Sequence, residues 1–115
     1  MGMLATTMNG LALQDTLENM GIATRVQTAL SMEKIGEVYN TKRSNELISK
    51  NVVTIFTCGT GNPFFSTDTA AIIRAIEIKA DIILLAKNVD GLYTKDPKKH
   101  LDAEMISKIT FKEVL

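Results

Sequence analysis

The chain has 115 residues, with 13 basic and 13 acidic side chains, one His, one Cys, no Trp and 45% apolar residues. That length is one small domain or a portion of one, and zero net charge supplies no field to gather a polyanion, which argues against a dedicated nucleic-acid or membrane-surface binder. The apolar content is too high for a disordered chain, and no apolar run approaches the ~18 residues of a membrane span.

Met1 to Met8 carry no basic n-region and no continuous apolar stretch, so they do not read as a secretory signal. The lone Cys58 cannot form an internal disulfide, which fits a reducing, cytoplasmic setting. Both ends read as cut. The chain opens directly in a helix-like apolar pattern without a cap and closes at Val114-Leu115 as another apolar segment begins, so an internal piece of a longer chain is expected.

Met1 to Met20 is predicted to be a helix that Gly21 stops. Leu4, Met8 and Leu11 fall on one side and Leu13, Leu17 and Met20 nearly opposite, so a second apolar face is left for another subunit or for further chain. Ala23 to Ala29 reads as a short strand with Val26 in the core. Met32 to Arg43 is irregular, and Ser44 is the expected cap of a helix over Ser44 to Lys50.

Val52 to Thr57 is a β-branched run expected to form a buried parallel strand. Thr69 to Lys79 reads as a helix in which Arg74 and Glu77 mark the outside, and Ile82 to Ala86 reads as a strand buried on both faces. Strand, helix and strand in succession predict a βαβ unit in an α/β layered fold. From Lys87 to His100 the chain turns polar, with Asp90-Gly91 and Asp96-Pro97 as turn signals of an exposed loop or hairpin.

In open α/β sheets, ligands sit beyond the carboxyl ends of the strands, and the segment there after Val52 to Thr57 is GTGNPFFSTDT, Gly59 to Thr69. Gly59 and Gly61 permit positive φ and close backbone approach, while Ser66 and Thr67 are candidate caps for a helix whose free N–H groups attract anions. Phe64 and Phe65 add apolar surface suited to a flat ring, so a nucleotide-like ligand is indicated, against the plain alternative of a Gly/Pro turn with two core phenylalanines. The Rossmann pattern fails because its third Gly position holds Phe64, and GxxxxGK[ST] is absent.

Asp68 is the first candidate catalytic acid; it is equally a helix N-terminal charge that needs no function. It would repel a bound phosphate unless Mg2+ or a Lys lay between them. Asp90, Asp96 and Tyr93 read either as turn residues or as acids and an aromatic platform for a nucleotide, His100 as solvated, and Cys58 as a small core residue.

GTGNPFFSTDTAAIIRAIEIKAD, Gly59 to Asp81, and VDGLYTKDP, Val89 to Pro97, closely resemble the bacterial uridylate (UMP) kinase family of the amino-acid kinase superfamily, as do the opening MGMLATTMNGLALQD and the closing ITFKEVL. The resemblance implies a three-layer α/β sandwich with a mostly parallel sheet, present here in part as a single domain over residues 1–115. It also implies cytoplasmic transfer of the ATP γ-phosphoryl group to UMP, giving UDP with Mg2+, by a homohexamer with GTP and UTP as effectors. Matched position by position, Thr60, Gly61, Asn62, Pro63, Phe64, Phe65, Ser66 and Thr67 take the uridylate loop and Asp68 the acid at the reacting centre. Tyr93 and Asp96 take ATP positions; gap-free counting puts Lys87 at a third, and a one-residue gap puts Asn88 there. No residue is assigned as a ligand of a resident metal. The family's KxSGE and GGGN segments, and a UMP-binding Asp, belong before Met1, so the 115 residues alone are expected to be catalytically inactive. Two other readings stay open: another enzyme of the superfamily, such as an acylglutamate or carbamate kinase, and a non-catalytic uridylate-binding or oligomerisation module.

Overall fold

Leu, Ala, Met and Gln dominate the first twenty residues, and in the computed structural model they form α1, Gly2–Asn19. The structure describes residues 1–114. Gly21, at φ 82°, occupies the left-handed position that ends the helix. The stripe that α1 buries runs between its two apolar faces: Thr7 and Gly10 are buried and Leu11 and Leu17 half-buried, while Leu4, Met8, Leu13 and Met20 are exposed. Gly10 explains the choice. A Cβ at that position would stand 2.5 Å from Thr57 Cγ2, so only a bare backbone lets the helix approach the sheet there.

The sheet has three parallel strands in the order β2-β1-β3: β1 Thr24–Thr28, β2 Glu37–Val38 and β3 Val53–Thr57. Val26 lies opposite Ile55, Gln27 opposite Phe56 and Thr28 opposite Thr57. Because side chains alternate along a strand, Ile55 and Thr57 face Gly10 of α1, whereas Gln27 and Phe56 face the other layer. There Ser44 of α2, Thr41–Ser49, is 2.5 Å from Gln27 Oε1, and Tyr39 meets Phe56 edge to face at 5.5 Å. Helix, sheet and helix thus form the layers of an α/β fold. Val26 is buried as expected, but β3 is a half-exposed edge strand with Val53 open to solvent, because pairing reaches it from one side among the described residues.

Three further expectations are corrected. The cap of α2 is Asn40, whose extended backbone lets Oδ1 accept the Arg43 N–H at 3.0 Å; Ser44 lies inside the helix, fully buried. In α3, Thr67–Glu77, the inside and outside are exchanged. Arg74 lies over the Tyr39 ring with its side chain 13% exposed, while Ile72, Ile73 and Ile76 are exposed. Ile82 to Ala86 forms no strand; without hydrogen-bonded neighbours its β-branched and leucine side chains remain exposed, so the βαβ unit stops after β3 and α3.

The backbone forms two compact units, Met1–Ile83 and the residues from Leu84 onward. In the second, β4 Leu92–Tyr93, inside the stretch read as an exposed loop or hairpin, pairs antiparallel with β5 Met105–Ile106, which lies beyond it, and α4 Phe111–Val114 follows. Of the apolar segment expected at Val114-Leu115, Leu115 lies outside the described residues. Among the described residues no helix is long and apolar enough to cross a membrane.

Candidate functional site

Beyond β3 the backbone adopts a run of left-handed residues: Cys58 at φ 66°, Gly59 at 58°, Gly61 at 78° and Phe64 at 68°. Two are not glycine, and such a conformation in a bulky residue is uncommon unless its surroundings hold it. Gly61 has a second constraint: a Cβ there would meet Ala29 Cβ and the Ala29 carbonyl oxygen, each at 3.2 Å. Within the loop, the Gly61 N–H donates to the Cys58 carbonyl at 2.9 Å and the Asn62 N–H to Thr60 Oγ1 at 3.2 Å. These two hydrogen bonds shape the turn locally.

The loop ends in a cap. Ser66 Oγ accepts the Thr69 N–H at 3.2 Å, so of the two candidate caps it is Ser66 that serves and Thr67 that begins α3. Asp68 sits exposed in the first turn of α3, where the helix dipole favours an anion.

A cavity of about 330 Å³ opens against this loop. Its walls are Cys58 to Thr60, Asn62 to Phe65 and Thr67 on one side and Met1, Gly2, Met3 and Thr6 on the other. That volume is at the lower end of the range for small-molecule sites, about 300–1,000 Å³. The first residues of α1 and the first residue of α3 both line it, and the positive dipole end of α3 favours an anion in that space. Phe64 and Phe65 also line it and are largely exposed to solvent, which rules out the alternative of two core phenylalanines. Donors for an anion and flat apolar surface for a ring thus share one cavity.

Of the residues matched to a uridylate loop, Thr60, Asn62, Pro63, Phe64, Phe65 and Thr67 line this cavity; Gly61 and Ser66 support it through the turn and the cap. Asp68 neighbours it in sequence without lining it. The contribution of α1 was missed by sequence reasoning, which read Met1 to Met20 only as a helix with two apolar faces. The paired hydroxyls of Thr6 and Thr7, out of place on an apolar helix, were the available signal.

In the second unit, Leu85, Lys87, Val89, Asp90, Gly91 and Leu92 line a separate cavity of about 420 Å³. Lys87 belongs to it, whereas Tyr93 and Asp96 are outside its lining. The Tyr93 hydroxyl donates to Asp90 Oδ1 at 2.7 Å, and that hydrogen bond to the carboxylate raises the phenol's pKa. Asp96 Oδ1 accepts the Lys98 N–H at 2.9 Å, an Asx turn of the kind its dipeptide with Pro97 predicted.

A resident metal would need a ligand set. Among the described residues no three His, Cys, Asp or Glu side chains converge to hold one. A single carboxylate beside a helix N-terminus, as Asp68 is, would suit Mg2+ carried by a phosphate ligand, since this ion keeps waters and phosphate oxygens as most of its shell.

The α/β layers, the parallel sheet and the glycine-rich turn beyond β3 define an α/β protein of the layered kinase class. The chain belongs to the amino acid kinase family, whose model matches residues 1–115. It is also similar to two solved structures. UMP kinase from Ureaplasma parvum is 40% identical with a TM-score of 0.87, over 96% of this chain and 47% of that one. UMP kinase from Bacillus anthracis is 37% identical with a TM-score of 0.84, over 90% of this chain and 43% of that one. The chain therefore spans about half the length of the solved enzymes it matches.

Proposed function

We propose that the complete protein carrying this sequence is a nucleoside monophosphate kinase that transfers the γ-phosphoryl group of ATP to UMP, giving UDP and ADP in pyrimidine nucleotide synthesis. One observation carries the proposal: the cavity between the 59–67 loop and the first residues of α1 combines the N-terminus of α3 with two exposed phenylalanines, the chemistry of a ring joined to a phosphate. The similarity to two UMP kinases supports the choice of uracil. Uracil presents an N3–H between two carbonyls, and a loop of fixed amides and hydroxyls rejects cytosine because a buried partner would be left unpaired.

In this reading, residues 1–115 are the central part of one amino-acid-kinase domain. Thr60 to Thr67 hold UMP, and Asp68 orients the reacting phosphates together with the Mg2+ that ATP brings. The ion supplies charge neutralisation across the transferred phosphoryl group. Lys87, Tyr93 and Asp96 are assigned to ATP; the apolar wall of the Lys87 cavity, Leu85, Val89 and Leu92, suits an adenine ring. The exposed Leu and Met side chains of α1 support an oligomer of the complete chain; that it is a cytoplasmic homohexamer with GTP and UTP as effectors rests on the resemblance to the uridylate kinase family alone. Phosphoryl transfer depends on positioning and charge stabilisation, and these 115 residues contain no lysine-bearing glycine loop to provide either, so alone they form no UDP.

The test is a phosphorylation assay of the full natural chain with ATP and, separately, UMP, CMP, carbamate and acetylglutamate. UDP formation with little product from the others is expected. Carbamoyl phosphate or acetylglutamyl phosphate as the main product would assign another member of the family. Binding of UMP without turnover would make the protein a uridylate-binding module.

A further inference from the structure

The left-handed conformation of Cys58 is the point from which the whole loop departs, and Cys58 is fully buried and not a glycine. Something outside the loop must hold it there. The backbone N–H of Cys58 donates to Thr6 Oγ1 of α1 at 3.0 Å, across 52 positions of sequence. The Thr6 hydroxyl in turn donates its single proton to the Met3 carbonyl at 2.7 Å. With that proton committed, only lone pairs face Cys58, and the hydroxyl is oriented as an acceptor. The neighbouring Thr7 completes the grip: its Oγ1 is 3.1 Å from Cys58 Sγ and 3.4 Å from Thr57 Oγ1. Thr6 also lines the cavity, so the same side chain touches the loop's origin and the ligand space.

We propose that Thr6 is a positioning residue for the ligand loop, its hydroxyl fixing the strand-to-loop junction so that residues 59–67 stand ready around the bound nucleotide. The proposal rests on the uridylate reading above. It assigns to α1 a part in preorganising the site that is separate from packing on the sheet. Thr6→Val keeps the shape and removes the acceptor, leaving the Cys58 N–H without its partner, while the Met3 carbonyl still accepts from Thr7 Oγ1 at 3.2 Å. Thr6→Ser keeps the acceptor.

Both variants are made in the full natural chain, and three quantities are read: Kd for UMP by calorimetry, KM for ATP, and amide hydrogen exchange over Cys58 to Asn62 without ligand. Thr6→Val is expected to weaken UMP binding about tenfold with the ATP KM unchanged and to speed exchange in that segment. Thr6→Ser is expected to restore UMP affinity to within about twofold of the parent. The proposal is overturned if Thr6→Val binds UMP as the parent does, if UMP and ATP weaken together, or if the serine variant behaves like the valine one. A parent chain that ignores UMP would remove the uridylate reading alone; exchange over Cys58 to Asn62 would then decide, faster in Thr6→Val for the positioning role and unchanged against it.

Discussion

The guanidinium of Arg74 lies over the ring of Tyr39, 3.7 Å from its centroid, and the Tyr39 hydroxyl donates to Glu77 Oε2 at 2.6 Å. Arg74 Nη1 closes the triangle on the same carboxylate oxygen at 2.7 Å. This cluster anchors α3, whose first turn faces the candidate site, to the segment after β2. Arg74→Ala removes a mostly buried cation–π contact and a charge-assisted hydrogen bond, so a loss of about 2 kcal/mol in unfolding free energy is expected. Urea denaturation of the parent and variant measures it, and an unchanged midpoint would contradict the anchoring role.

The same triangle sets a pH dependence. Hydrogen bonds first from Tyr39 and then from Arg74 lower the Glu77 pKa below its ordinary value of 4.5. Stabilisation by the folded-state carboxylate is then full above pH 4.5 and is lost as pH falls through the lowered value. Burial, followed by the bond to Glu77, raises the Tyr39 pKa above 10.0, so the phenol's contribution is full below pH 10 and is lost as pH rises through the raised value. Glu77→Gln should flatten the acid limb of stability against pH, and Tyr39→Phe the alkaline limb. A Glu77→Gln variant as acid-sensitive as the parent would dismiss the carboxylate's part.

Gly10 is predicted to tolerate no larger residue cheaply. The added Cβ of Gly10→Ala would come 2.5 Å from the Cγ2 of buried Thr57, whose hydroxyl is already held to the Gln27 carbonyl at 3.2 Å. Separation of α1 from the sheet is expected to cost about 1–3 kcal/mol, seen as a lower thermal midpoint. Gly10→Ala with the parent's midpoint would show that the helix has slack there.

Gly61→Ala carries two penalties, a left-handed φ of 78° and contact with Ala29 at 3.2 Å. The conformational part alone amounts to about 1–2 kcal/mol. Because the loop can relax by moving, the larger effect is expected on UMP affinity and the smaller on stability. A calorimetric Kd equal to that of the parent would contradict a cavity shaped by this turn.

Local signals were legible where one periodicity had one meaning. α1 stops before Gly21 as read, β1 holds Val26, and the parallel β3 and the Asx turn at Asp96 follow their residues. Illegible features depended on partners distant in sequence. Gln27 and Ser44 look like surface residues, yet both are fully buried and face each other across 17 positions. Arg74 and Glu77 look like an outer face because charge normally seeks water, and Tyr39 reverses that by supplying a π face and a hydroxyl. Ile82 to Ala86 has the composition of a buried strand, but burial needs neighbours that composition cannot supply. For the candidate site, the loop itself was readable from Gly59, Gly61 and the Ser66 cap, whereas the opposite wall from α1 required Cys58 and Thr6 to meet.

The most direct test is amide hydrogen exchange on the full natural chain with and without UMP. Slowed exchange is expected to concentrate in residues 58–67 and the first turn of α1, with CMP giving much less. Equal protection by the two nucleotides would contradict uracil selection. Protection confined to other segments, or none at all, would contradict the assignment of this cavity to UMP.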